Sequence, residues 1–453
     1  MSVNLAIANI ALDTAIVSRQ GFGTILFIGQ HNFFPERVRS YGSTKAMVED
    51  GIATTHPVYK AGLGAFSQTP APQEILIGRQ IVDSILTPED AVEAKEYSVT
   101  IAAEDAVSAT FSVTAGATPT AQTILDAMKV LIDADTDIAA VITTTVVGVG
   151  VDATLVLSST SGKWFTVSNI VGMDETFGTS TESAADVLAA IEAETEDFYY
   201  VTAQEKSNTF VTDMATEIEA KLKVYATSID ETTVFDAVQT GTLVDLKDGN
   251  FFRTMGIYHQ EAKESFPEVA RLAEAAFAVT GSITYGNRRV AAVPASLNAV
   301  GKPLTSTQQN KLKLVNADFF ARVGSDAGSD PIIGVVGKVA SGEWLDNIVG
   351  RDNLQVDIEA DFNTFLINQK TGKVAFNNKG INQVKSILQA TLTNYTPDGT
   401  HNFINDDFEI FVPDVSEVPL ADKAARTFRQ ISFKATLTNA IHMVEITGTL
   451  SYE

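Results

Sequence analysis

The stretch that decides the fold runs from Phe428 as F-R-Q-I-S-F-K-A-T-L-T, then N-A, then I-H-M-V-E-I-T-G-T-L-S-Y-E from Ile441 to Glu453. In the first run Ile431, Phe433, Ala435 and Leu437 alternate with Gln430, Ser432, Lys434 and Thr436. In the second, His442, Val444, Ile446, Leu450 and Tyr452 share one face of an extended chain. A period of two with β-branched and aromatic residues is the pattern of a half-buried strand. Backbone donors and acceptors carry no partner preference, so a strand at a chain end can pair within its own subunit or with another copy. The expectation is that Thr427–Thr438 stays at home as a receiving strand and that Ile441–Tyr452 is donated to a neighbour. Residues Val3, Leu5 and Ile7 alternate in the same way and form a second candidate arm, over residues 1–20.

Between the two arms, short apolar runs alternate with amphipathic segments, which predicts a multidomain α/β (α+β) chain. T-I-L-F-I-G (Thr24–Gly29) and E-I-L-I-G-R (Glu74–Arg79) read as buried strands, with helices capped at Ser43 and opened by Pro57 between them. The Pro57 helix is expected to bury Tyr59, Leu63 and Phe66. The texture changes over residues 93–182, where Thr- and Val-rich strands surround a helix at Thr120–Asp133 in the order β-β-α-β-β-β. Lys95, Lys129 and Lys163 are the only basic residues of its central part, so this segment reads as a β-rich, surface-exposed insert. The α/β pattern resumes, giving a discontinuous domain over 21–92 and 183–310. A C-terminal α/β assembly domain is expected over 311–427, with helices at Leu345–Leu366 and Ile381–Leu392, followed by the terminal strands and arm over 428–453.

A chain of 453 residues exceeds a single core, and 45% hydrophobic with 19% charged residues describes an ordered globular protein. The net charge of -24 argues against a nucleic-acid-wrapping surface. With no cysteine, disulfide and thiolate chemistry are excluded. The first residues lack a basic region, so no signal peptide is expected, and no apolar run is long enough to span a bilayer.

Catalytic and ligand motifs fail on inspection. Gly21-Phe22-Gly23 precedes a strand instead of following one, and Gly334-Val335-Val336-Gly337-Lys338 lacks the spacing of a phosphate-binding loop. Asp133-Ala134-Asp135-Thr136-Asp137 opens like a calcium loop but continues with Ile138 where glycine is required. The five histidines form no ligand-spaced pair, and no G-x-S-x-G elbow is present. No catalytic residue, metal site or cofactor is expected, and the chain reads as a non-enzyme.

The segment from Asp422 to Tyr452, D-K-A-A-R-T-F-R-Q-I-S-F-K-A-T-L-T-N-A-I-H-M-V-E-I-T-G-T-L-S-Y, resembles the C-terminal signature of phage contractile-tail sheath proteins, closest to a variant sheath family. Similar segments recur in order: G-F-G-T-I-L-F-I-G, E-R-V-R-S-Y-G-S and F-S-Q-T-P-A-P-Q-E-I-L-I-G-R between Gly21 and Arg79, N-A-D-F-F-A-R-V-G from Asn316, and K-V-A-S-G-E-W-L-D from Lys338. The resemblance covers most of the chain outside the insert. It implies a structural subunit stacked in hexameric, helically offset rings around an inner tail tube, with baseplate and tail terminator proteins as further partners. It implies neighbours tied together by strands from both arms, without direct nucleic-acid or membrane contact. It also implies a place in the virion, after assembly in the host bacterial cytoplasm. The sheath of a phage-derived, tailocin-like device fits the same residues, and a surface adhesin or S-layer-like protein is the rival from another class.

Overall fold

The computed structural model describes residues 21–105, 108–160, 162–324, 330–369, 372–442 and 444. Strands β1 (Ile25–Gln30), β2 (Val38–Tyr41) and β3 (Ile75–Gln80) open a sheet, with α1 (Thr44–Glu49) and α2 (Pro57–Phe66) between the last two. Ser43 caps α1 by accepting from the Ala46 amide at 3.3 Å, and Pro57 stands at the first turn of α2, where its missing N–H costs nothing. β1 pairs in parallel with β3, Ile25 opposite Ile75, and every residue of both is buried. That is why both read as continuous apolar runs: a parallel strand is covered on both faces.

The chain then leaves the sheet to build the insert: β4 (Ser84–Pro88), β5 (Glu96–Ala103), β6 (Ala109–Thr114), α3 (Ala121–Ala134), α4 (Thr136–Ala139), β7 (Ile142–Val147), β8 (Thr154–Ser159), β9 (Phe165–Val171) and β10 (Met173–Phe177). A four-stranded sheet, β10-β4-β8-β7, and a three-stranded sheet, β6-β5-β9, enclose α3. β4 and β10 pair antiparallel, Ser84 opposite Phe177, and form the neck. The insert's strands therefore begin at Ser84, nine residues before the expected boundary at 93. Helix α3 turns Ile124, Leu125, Met128 and Ile132 inward and leaves Leu131 exposed, because the face between two sheets is set by both of them.

On its return the chain lays down α5 (Ala184–Glu192), β11 (Tyr200–Ala203), α6 (Asn208–Glu219), β12 (Val224–Ile229), α7 (Thr242–Asp248), β13 (Thr254–Tyr258), α8 (Pro267–Ala276), β14 (Arg288–Arg289), α9 (Ser306–Leu314), β15 (Asp318–Arg322) and β16 (Ile332–Gly334). The completed nine-stranded sheet has the order β14-β16-β15-β13-β12-β11-β1-β3-β2. Ile25 and Phe27 face a core shared with α2 and α8, whereas Leu26 and Ile28 face one shared with α5 and α6, as the pleat requires. α2 presents Val58, Ala61, Gly62, Gly64 and Ala65, and Leu63 is exposed. The small side chains let it approach α8, where a Cβ on Gly64 would lie 3.6 Å from that of Ala270. Of the expected face, Tyr59 and Phe66 pack half-buried against that core, and Leu63 alone is turned out.

Asp318–Arg322 and Ile332–Gly334, expected in the C-terminal domain, belong to this sheet: β15 runs parallel to β13 and β16 antiparallel to β15. Arg271 of α8, fully buried, meets Asp318 at 3.0 Å and also donates to the Tyr285 carbonyl, which fixes β15 under the helix. What remains for the C-terminal unit is α10 (Leu345–Ile367), α11 (Asn378–Asn394), β17 (Glu409–Phe411), α12 (Leu420–Ala425) and β18 (Ser432–Lys434). Its own core is small, built on Leu354, Leu388, Leu392, Tyr395, Phe403 and Ile404. The whole is a multidomain mixed α/β chain.

Candidate assembly surfaces

β18 pairs antiparallel with β17, Phe433 opposite Ile410 and Ser432 opposite Phe411. Beyond it Asn405 donates its amide to Thr436 O at 2.8 Å, Ile404 bridges Leu437, and Thr438 N donates to Phe403 O at 3.1 Å. The stretch expected to stay at home therefore zips onto residues 403–411 of its own chain. Ile431 and Ala435 pack against the small core, while Phe433 and Leu437 are 38% and 36% exposed. Among the described residues the second edge of β18 carries no strand. Of the other residues expected to exchange between subunits, Val3, Leu5, Ile7, Ile446, Leu450 and Tyr452 lie outside the described residues.

Next to this ribbon lies an apolar groove of about 350 Å³ between the second half of α10 and the start of α11, lined by Phe362, Leu366, Phe376, Val384, Phe428 and Ile431. Most of its lining, from Phe362 to Val384, falls in a stretch without acid. From Phe362 to Pro397 the sequence holds Lys370, Lys373, Lys379 and Lys385 and no Asp or Glu, in a chain with 56 acidic residues. Lys379, Asn382, Gln383, Ser386 and Gln389 recur at helical spacing along the exposed side of α11. The absence of acid between Asp361 and Asp398 was the readable signal for this face, and residue periodicity alone does not reveal it.

The C-terminal unit is joined to the sheet by a buried polar cluster. Arg253, just before β13, holds Asp352 of α10 through Nη1 at 2.5 Å and Nη2 at 3.0 Å. Tyr199 donates to the same carboxylate at 2.9 Å. Burial and the neighbouring Asp352 charge push the Tyr199 hydroxyl far above its ordinary value, so it stays a donor. Burial opposes the charge on Arg253, but its hydrogen bonds to Asp352 prevail and raise its pKa. On the C-terminal unit, the His401 ring stacks on Tyr395 with centroids 4.1 Å apart, and its Nδ1 lies 2.7 Å from Thr280 O of the sheet domain.

His442, expected on the apolar face of a strand, stands on the sheet domain. Its Nε2 lies 2.7 Å from Thr284 Oγ1, its carbonyl accepts from Asn287 Nδ2 at 2.9 Å, and its ring meets Trp344 edge-on at 4.4 Å. Val444 is 73% exposed. Among the described residues no group of three or more His, Cys, Asp or Glu is placed to hold a metal ion, and no helix is long and apolar enough to cross a membrane. A polar cleft of about 300 Å³ contains Asp357, Asp361 and His401, where Tyr395 donates to Asp357 at 2.7 Å and Thr391 to Asp361 at 2.6 Å. Those bonds tie α10 to α11.

No protein-family model matches the chain, and no curated protein matches it significantly. Solved structures do. A chain in the structure of the anti-feeding prophage (AFP) baseplate in contracted state aligns with a TM-score of 0.52 at 9% identity, over 99% of this chain and 96% of that one. A chain in the six-fold symmetrised AFP baseplate aligns with a TM-score of 0.42 at 9% identity, over 61% of this chain and 76% of that one. At such identity the first likeness is one of fold, and it spans sheet domain, insert and C-terminal unit together.

Proposed function

We propose that this chain is a structural subunit of a contractile phage tail sheath. It polymerises as stacked hexameric rings around an inner tail tube and shortens to drive that tube through the host envelope for genome ejection. The observation that carries the reading is the fold shared over 99% of the chain with a component of the AFP baseplate in contracted state. The ordered family-like segments between Gly21 and Tyr452 support it independently from sequence.

The physics of the surfaces agrees with this role. Contraction changes contacts between rigid bodies, so subunits must rotate without separating. Backbone ladders to a donated strand persist while linkers absorb the motion. The edge of β18 that carries no strand among the described residues, beside the apolar groove, is suited to receive such a strand. The acid-free side of α11 is the face suited to an acidic inner partner, since elsewhere the chain's own charge of -24 would repel one. The work comes from metastable packing summed over repeated heterologous contacts, so the subunit is not an enzyme and needs no cofactor. It resides in the virion tail, assembled in the host bacterial cytoplasm, with tube, baseplate and tail terminator proteins as partners.

A second reading, the sheath of a phage-derived device, is favoured by the likeness to a prophage particle. Electron microscopy of the chain expressed alone tests the common core of both. Striated tubes or rings are expected, and small monodisperse particles under all conditions would overturn the proposal.

A further inference from the structure

Among the described residues no strand of the insert enters the nine-stranded sheet, and the insert closes around a hydrophobic core of its own. Its attitude on the sheet domain is therefore set by the β4–β10 neck and by the side chains that meet beside it. Phe177, the last residue of β10, is half-buried at that seam. Its ring stands edge-on to Phe33 at 5.3 Å and to His56 at 5.4 Å, and Phe33 meets His56 at 4.8 Å, so these rings close a triangle across the seam. Phe33 also stacks on His31 at 5.3 Å, and His31 packs against Phe34 at 4.6 Å. Asn32 supplies a polar tie, donating to Val82 O at 2.7 Å and to Ser84 Oγ at 3.2 Å.

Both imidazoles are built to be neutral. Nδ1 of His31 accepts the Phe33 amide at 3.3 Å, and Nδ1 of His56 accepts the Val58 amide at 3.2 Å, which caps α2. A proton on either nitrogen would set two donors face to face. On His56 it would also place a cation at the positive end of the α2 dipole. On His31 the other nitrogen, Nε2, is buried without an acceptor. The charged neighbours on the sheet domain are basic: Lys60 one turn along α2, Arg79 on β3 and Arg39 on β2. Lys60 is paired with Glu264, Arg39 with Glu36 and Asp50, and Arg79 donates to the carbonyls of Pro35 and Glu36. On the insert, Glu175 shares a face of β10 with Phe177, but burial raises its carboxyl to about 7, so in acid it is uncharged. Burial, then the Lys60 charge, pushes His56 from 6.5 down to about 4. Burial, His56 and the two arginines hold His31 well below the ordinary histidine range.

We infer that Phe177 is the tongue of an acid-released latch: protonation of His56 and His31 expels it from its seat and frees the insert to turn about the β4–β10 neck. The rings that hold the tongue are the ones that acquire charge. Each imidazole binds its proton more weakly in the closed seam than in an open, hydrated one, so release is absent above about pH 7 and grows as pH falls from about 6.5 toward 4. For His56 alone the drop from 6.5 to about 4 amounts to a factor of ~300 in the ratio of open to closed seam, of which about 30 is reached by pH 5. The latch belongs to the single subunit and does not depend on the sheath reading.

The chain has no cysteine, so two can be added without competition. Nitroxides on Val130→Cys in α3 of the insert and Leu314→Cys in α9 of the sheet domain, both exposed, report the distance between the two units. It is read by double electron–electron resonance on dilute subunits shown by size exclusion to be unassembled. A single narrow distance is expected at about pH 7.5, broadening by about pH 5 with circular dichroism unchanged. The double variant His31→Asn/His56→Asn keeps a capping acceptor on α2 and removes both charges, so its distance should stay narrow in acid. Phe177→Ala withdraws the tongue and should broaden the distance already at neutral pH. A parent that stays narrow at about pH 5, a double variant that broadens as the parent does, or a Phe177→Ala chain still narrow at neutral pH overturns the latch.

Discussion

Replacing Asp352 by alanine should loosen the C-terminal unit from the sheet domain, and its cost follows from the geometry. The Asp352 side chain is fully buried, Arg253 is 9% exposed, and the two meet through both guanidinium nitrogens. Removing one member of such a pair leaves a buried charge uncompensated, which costs about 3–5 kcal/mol. That is a large part of the ~5–15 kcal/mol that holds a domain folded. Trp344 stands at the N-cap of α10 and reports this joint once the other tryptophan, Trp164, is replaced by phenylalanine. With a urea dependence of about 2 kcal/mol per molar, the midpoint of the Trp344 transition should fall by roughly 2 M. The double variant Arg253→Met/Asp352→Leu replaces both charges with apolar volume and should recover part of the loss, the buried Tyr199 hydroxyl being left without its acceptor. A single substitution costing under ~1 kcal/mol, or a double variant as unstable as the single one, would refute the assignment of the pair as an internal fastener.

Three further outcomes are expected. Gly350→Ala, a change that stabilises an ordinary helix interior by ~1 kcal/mol, should lower the melting temperature here, because the new Cβ would lie 2.4 Å from the Phe403 ring. Burial raises the Glu175 carboxyl to about 7, against a partial lowering by Ser84, so the folded chain holds that proton more tightly than the unfolded one. Its contribution therefore makes stability fall as pH rises from about 4.5 to about 7, and Glu175→Gln should flatten that slope in melting curves and raise stability above pH 7. Deleting Ile441–Glu453 should leave folded subunits that no longer polymerise, and tubes of normal form after the deletion would remove strand exchange from the account.

Local pattern carried much of the fold into the sequence. The continuous apolar runs at Ile25 and Ile75 announced buried strands, and Ser43 and Pro57 announced helix starts. Each is a property of a few consecutive residues meeting one environment. The absence of acid over residues 362–397 is a further signal in the sequence, but it is counted across a span and not along a period, so a reading by periodicity passes over it. What the sequence left open was pairing. Asp318–Arg322 was legible as a strand, yet its place beside β13 depends on backbone bonds that are indifferent to residue identity. The same holds for β18, whose partner is β17 and whose alternation would have suited the following run equally well. His442 shows the limit most sharply: its spacing put it on the face of a strand, whereas a left-handed turn at Asn439 and contacts to Thr284, Asn287 and Trp344 hold it on another domain. Periodicity records which side of a segment is covered; only the tertiary structure decides by what, because the covering surface is assembled from residues distant in the chain.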